Sequence, residues 1–238
     1  FPRPVHWILA MIDDQVVPMT LFGLNSSNLT FGHRFMAPDP MTIDHAGQYH
    51  RHLANAYVIA DFEQRQRATW DTIKESAQGH GVTVELDQDL LTEINCLVEW
   101  PIALCGEFDE RFLEVPDIAL IAGMQGHQKY FHTRDTSGAL SNRFITVSNI
   151  ESKDPKQVIA GNQRVIRARL SDAKFFFNLD QKETLAARRP LLDHITFHPK
   201  LGSLGAKTER VQSLGSKIAQ SIGADVDLFQ RATALSRC

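Results

Sequence analysis

The stretch NQRVIRARLSDAKFFFNLD, Asn162–Asp180, decides how this chain is read. At about 100° per residue it winds into a helix with two unlike sides. Arg164, Arg167 and Lys174 fall within about 80° of one another, while Val165, Ile166, Leu170, Ala173, Phe176 and Phe177 fill the opposite arc. One side is therefore expected to bury against a core and the other to offer three cations to solvent or to a polyanion. Arg169 falls among the apolar residues, where an unpaired guanidinium is costly. Asp172, three residues on, is one candidate partner; the alternative is that the Arg169 side chain runs along the apolar face to water.

Around this helix the composition is that of a globular chain. Its 238 residues suffice for one large domain or two small ones, and 43% hydrophobic with 22% charged residues is ordinary. No apolar run approaches the roughly 20 residues that span a bilayer. No signal-peptide pattern opens the chain, and its start at Phe1, without Met, reads as a piece of something longer. The three cysteines, Cys96, Cys105 and Cys238, have no metal spacing, and their odd number argues against a disulfide framework. Cys96 and Cys105 have apolar neighbours and are expected in the core of a cytoplasmic protein. Residues 1–150 carry 10 Lys and Arg against 19 Asp and Glu (net −9); residues 151–238 carry 15 against 9 (net +6). That change of sign suggests two modules, the basic one facing a polyanion or simply solvated.

Along the chain, residues 4–12 and 15–22 predict a hairpin turning at Asp13–Asp14, and a helix is expected over 46–54. Tyr57–Ala60 predicts a short buried strand, and Asp61 caps a helix to about Gln78. A strand is expected at 82–85, and Asp87 caps a helix reaching about Glu99. A strand follows at 102–106, and Pro116 opens a helix to about Gln125. Residues 128–133 and 143–149 predict a second hairpin around Ser137–Gly138. From Asp154 the pattern is helical, over 155–180, 183–189, 205–221 and 227–236. The expected fold class is α+β: a mixed module over 1–152 and a helical segment over 153–238.

No nucleotide-binding or hydrolase motif occurs. His194 and His198 are four apart and could offer two ligands on a last helical turn, but no His–Asp dipeptide or zinc spacing accompanies them. Gly32–His33–Arg34, between Phe31 and Phe35, suits backbone phosphate contact through Arg34; the structural alternative pairs Arg34 with a local carboxylate and puts the rings in the core. Tyr130 is either a base-stacking surface or a core tyrosine.

Several segments in order, RPVHW at 3–7, TFGHRF at 30–35, AYVIADFEQR at 56–65, LVEWPIALCGEFDERFLEVP at 97–116, HQKYF at 127–131, FITVSNIESKDPKQVIAGNQRVIRARLSDAKFFFNLD at 144–180 and FHPKLGSLGAKTER at 197–210, resemble the β subunit of the bacterial heterotetrameric glycyl-tRNA synthetase. The resemblance covers nearly the whole chain and implies an internal portion of that subunit. It implies an α+β module like the B3/B4 module of the phenylalanyl-tRNA synthetase β subunit, leading into the start of an HD-like helical domain. The implied partners are an α subunit, in an α2β2 assembly, and tRNA(Gly). ATP and Mg would act on the α subunit, with no cofactor in this portion. The resemblance thus implies a cytoplasmic segment that binds tRNA and supports assembly; the cations read above from the loop and the helix, Arg34, Arg164, Arg167 and Lys174, are then its candidate RNA contacts, with no catalytic residue and no metal. The alternatives are a hydrolytic editing module with a pocket near His33, Arg34 and Tyr130, or a structural spacer between subunits. His132–Thr133–Arg134 departs from the more apolar continuation usual after HQKYF.

Overall fold

The computed structural model describes residues 4–238; Arg3, which opens the first segment quoted above, lies outside the described residues. Cα packing divides the chain into two compact units, residues 1–173 and 174–238.

The first unit opens with short strands: Ile8–Leu9 (β1), Met11–Ile12 (β2), Gln15–Val16 (β3), Thr20–Leu21 (β4), Leu24–Ser27 (β5), Leu29–Phe31 (β6) and Pro40–Thr42 (β7). The turn expected at Asp13–Asp14 is present, but it joins only β2 and β3. Beyond it β4 pairs antiparallel with β5, while β1 joins β5 in parallel. The long hairpin of the sequence reading is thus broken into two small sheets.

Next come the helices Tyr49–Asn55 (α1) and Phe62–Gly79 (α2), the strand Thr83–Val84 (β8) and the helix Gln88–Asn95 (α3). Asp61 and Asp87 cap α2 and α3, accepting from the N–H groups of Gln64 and Leu90 at 2.7 and 3.0 Å. The strands Ile102–Glu107 (β9), Phe131–Arg134 (β10) and Leu140–Ser148 (β11) join β8 in an antiparallel sheet of order β8-β10-β11-β9. Between them run the helix Asp117–Ala122 (α4) and a wider π-type turn over Gly123–His127. Period-2 alternation splits the sheet residues between two faces. Phe131 and Ile145, paired across β10 and β11, meet Ile73 and Ala77 of α2 and Leu90, Leu91 and Ile94 of α3 in the main core cluster. Phe144 points the other way, over Gly106, and stacks on Tyr130 with ring centroids 4.7 Å apart.

The long helix spans Pro155–Asp180 (α5), with bounds that match the sequence reading. Asp154 accepts from Gln157 N–H at 3.4 Å, and Pro155 stands where an amide donor is not needed. Ile166 and Leu170, four apart, are wholly buried, and Asn162, four before Ile166, accepts the Tyr130 hydroxyl at 2.6 Å. Val165 and Phe176, expected in the apolar wall, are instead 44% and 58% exposed. The buried stripe is one residue wide and follows the i, i+4 ridge, so it takes only part of the arc the angles allowed.

Helices Leu185–Arg188 (α6), Leu204–Ser221 (α7) and Val226–Leu235 (α8) lie in the second unit. A short hairpin, Thr196–His198 (β12) with Gly202–Ser203 (β13), interrupts the helices there. Gly215 lets α8 approach α7 closely: a Cβ at that position would fall 2.6 Å from Phe229 Cε1. Arg189 pairs with Asp193 at 3.2 Å within the 3-10 turn that follows α6 and with Glu209 of α7 at 3.6 Å. No helix among the described residues is long and apolar enough to cross a membrane.

Candidate nucleic-acid interface

The backbone of the loop after β6 is fixed at several points. Gly32 presses against the chain at Ala56: an added Cβ would collide with the Ala56 methyl and lie 2.7 Å from its carbonyl oxygen. The next amide, of His33, donates to that carbonyl at 2.8 Å. The His33 ring is buried, and both its nitrogens serve backbone: Nε2 donates to the Asn149 carbonyl at 2.7 Å, and Nδ1 accepts from the N–H groups of Phe35 and Met36 at 3.3 Å. Arg34 projects from this fixed loop into solvent. No ion pair holds it among the described residues, and its guanidinium lies 5.7 Å from the centre of the Phe35 ring, which is itself 74% exposed. The expected local carboxylate partner and the core placing of Phe35 are therefore not found, while Phe31 is half-buried.

Arg34 stands between two recesses of the first unit. One, of about 580 Å³, lies between His33, Tyr49 and Leu53 of α1, Arg65 of α2, and Cys96–Glu99. Burial pushes the Tyr49 phenol up, so it stays a neutral donor. The Arg65 guanidinium is fixed by carbonyls and lies over the Phe62 ring: Nη1 donates to Ile59 O at 2.6 Å and Ala60 O at 3.4 Å, and Nε donates to Asn95 O at 3.2 Å. Cys96, expected in the core, is exposed at the rim of this recess. The recess brings His33 and Arg34 together as expected, but not Tyr130, which is buried in the sheet core and hydrogen-bonded to Asn162. With both ring nitrogens occupied, His33 has no lone pair left to activate a water. The second recess, of about 470 Å³, opens on the other side of Arg34 against Trp7 and Phe31.

The cations of α5 have different surroundings. Arg164 is exposed, without an ion pair among the described residues. Arg167 is exposed too, but shares a recess of about 470 Å³ with Glu107, Asp109 and Glu110, so its field is partly cancelled there. Lys174 is half-buried, is engaged by a neighbouring group, and is the first residue of the second unit. Arg169 is exposed and forms no ion pair with Asp172; its place at the margin of the buried stripe lets it reach water. His194 and His198 lie on different elements, and His198 Nδ1 accepts from Lys200 N–H at 3.1 Å. No group of three or more His, Cys, Asp or Glu among the described residues is placed to hold a metal ion.

Trp7 and Arg65 escaped the sequence reading. Trp7 sat in an expected strand and had no other signal. Arg65 did leave a trace: a cation in the first turn of a helix opposes the helix dipole, and such a residue is tolerated best when its charge is engaged elsewhere.

Comparison with known proteins adds a separate line of evidence. The sequence model of the glycyl-tRNA synthetase beta subunit family matches residues 1–238. The chain is 48% identical over 238 residues to the glycine–tRNA ligase beta subunit of Chromohalobacter salexigens, 46% identical over 239 residues to that of Klebsiella pneumoniae, and 45% identical over 238 residues to that of Acinetobacter baylyi. Each alignment takes in 100% of this chain and 34–35% of the relative, so the chain spans about a third of the length of the curated relatives it matches.

Proposed function

The chain belongs to the glycyl-tRNA synthetase beta subunit family, and on that premise we propose that it is a tRNA-binding and assembly portion of a glycine–tRNA ligase. The observation that carries the reading is the family match along the whole chain. In this proposal the subunit joins an α subunit in an α2β2 cytoplasmic enzyme that charges tRNA(Gly) at the expense of ATP. ATP, Mg and the bond-making chemistry belong to the α subunit. Residues 1–152 correspond in this proposal to a B3/B4-like module and residues 153–238 to the start of an HD-like domain.

The role of this portion is then electrostatic and positional. Phosphates of the RNA exchange their condensed counterions for fixed guanidinium groups, which makes binding fall with salt in proportion to the contacts made. Arg34 and Arg164 are the better placed, because neither is paired with a carboxylate among the described residues; Arg167 contributes less, since Glu107, Asp109 and Glu110 share its recess. Lys174 remains a candidate contact of the second unit. The binding constant of tRNA(Gly) for the full-length subunit with its partner, measured against salt, tests this. The Arg34→Ala/Arg164→Ala variant is expected to reduce the log–log salt slope by about 1.5–2, and Arg167→Ala by less than half as much per residue. An unchanged slope in both would leave this portion a spacer between subunits and would refute the RNA contact.

A further inference from the structure

Two stretches far apart in sequence, His6–Trp7 and Phe31–Arg34, meet in the first unit. Trp7 directly precedes β1, and the centre of its ring lies 4.7 Å from that of Phe31, tilted by 53°. Together with His6, Gly32, Arg34 and Pro38 these rings line the recess of about 470 Å³ on the far side of Arg34. Trp7 keeps 42% of its surface exposed. A large indole left open on a rigid support, beside a second ring, presents a π-face of the kind that planar ligands stack on.

The charges around the recess narrow the ligand further. Among the described residues its lining holds a guanidinium and an imidazole and no carboxylate. Arg34 has no ion pair among the described residues. It is carried by a loop whose glycine has no room for a Cβ and whose histidine is pinned at both ring nitrogens. A ligand suited to this recess has a flat aromatic part for Trp7 and Phe31 and an anionic part for Arg34. A nucleotide has both, and only an unpaired one can offer its base face to a side chain.

We propose that the Trp7–Phe31–Arg34 recess is a stacking site for one unpaired nucleotide of RNA, with the base on Trp7 and a backbone phosphate on Arg34. This rests on the reading above that the subunit binds RNA, and it goes beyond a phosphate contact by assigning a base-stacking surface. Stacking tolerates any base, so the site selects for single-strandedness and only weakly for sequence.

The test uses the full-length subunit in its complex and an unstructured RNA hexamer carrying 2-aminopurine, whose fluorescence is quenched when the base stacks. Wild type is expected to quench it on binding. Trp7→Phe, which keeps a ring, should retain the quench and most of the affinity. Trp7→Ala and Arg34→Ala should each lose about tenfold or more in affinity, the loss expected for one stacked base or one charged contact. If Trp7→Ala misfolds, Trp7→Phe and the surface change Arg34→Ala still decide the matter. Hexamer binding without quench, or with affinity indifferent to Arg34 and Trp7, overturns the stacking site. So does a proline-rich peptide that occupies the recess while the hexamer does not. Parallel titration with tRNA(Gly) separates the two readings. If tRNA binding responds to Arg164 while the hexamer is not quenched, only the stacking site falls; if tRNA does not bind at all, the RNA-binding reading falls as well.

Discussion

Gly32→Ala puts the fixed loop to a quantitative test. The new Cβ would collide with the Ala56 methyl and lie 2.7 Å from the Ala56 carbonyl oxygen and 3.1 Å from the Ala37 methyl. An ordinary contact between carbons needs about 3.5–4.0 Å, and neither Ala56 atom can swing away by rotating a side chain. The two strands of chain must therefore separate by roughly 1 Å. That stretches the His33 N–H to Ala56 O bond, now 2.8 Å, beyond hydrogen-bonding range. Overpacking of this kind costs about 1–3 kcal/mol, and the lost bond about 0.5–1.5 kcal/mol more. The sum, about 2–4 kcal/mol, corresponds to a fall in Tm of about 5–15 °C for a chain of this size. Gly161→Ala is the control: it lies in α5 with nothing within 4 Å of an added Cβ, and should raise stability by about 0.5–1 kcal/mol. Scanning calorimetry on the two variants measures both. If Gly32→Ala melts with the wild-type protein, the close approach at Ala56 is not what fixes the loop, and the argument from Arg34's rigidity fails with it.

Three further outcomes are expected. Burial first, and the Arg134 guanidinium second, hold the His132 imidazole below its ordinary range, against the opposing pull of Glu85 and Asp117, and its buried Nε2 has no hydrogen-bond partner. The unfolded chain therefore takes up the proton more readily, so this contribution to stability is whole above about pH 6.5 and is lost as pH falls through the folded value; urea midpoints of wild type and His132→Gln should diverge on acidification and run parallel above neutrality. Arg65→Met strands the carbonyls of Ile59 and Asn95 that now receive a charged donor and should cost about 1.5–3 kcal/mol, with Arg65→Lys recovering less than half because an ammonium cannot reach both, as read from denaturant midpoints. Tyr130→Phe removes the hydroxyl that donates to Asn162 and should cost about 1 kcal/mol, with a Tm shift of about 2–4 °C.

Elements whose signals are local were legible in the sequence. The caps at Asp61 and Asp87, and Asp154 with Pro155, each name their helix start because the capping group lies within three residues of the amide it satisfies. Where the chain takes its partners from far away, the reading went astray. Tyr57–Ala60 has the composition of a strand, yet Tyr57 adopts φ 60°, and the carbonyls of Ile59 and Ala60 receive the Arg65 guanidinium in place of a neighbouring strand. The expected helix to Glu99 stops at Asn95 because the amides of Glu99 and Trp100 are taken by Asn149 Oδ1, at 2.6 and 3.1 Å. The π-type turn at Gly123–His127 likewise has no signature in periodicity.

The same reasoning applies to the candidate site. Arg34 was legible as a cation in a glycine-led loop, but the property that makes it useful comes from a bond between His33 and Asn149, 116 residues apart, and from Ala56 pressed on Gly32. A flexible arginine loses side-chain and loop entropy when it meets a phosphate, at about 0.5–1.5 kcal/mol for each ordered side chain. In this loop the backbone is ordered already on folding, so more of the contact energy is left for binding. The α5 cations show the converse. Helical periodicity assigns them one angular position, yet Glu107, Asp109 and Glu110 come from a strand and turn far up the chain and reduce what Arg167 can offer. Helical phase fixes which way a charge points, whereas its worth to a polyanion depends on the carboxylates that tertiary packing brings beside it, and on that ground Arg34 and Arg164 outrank Arg167.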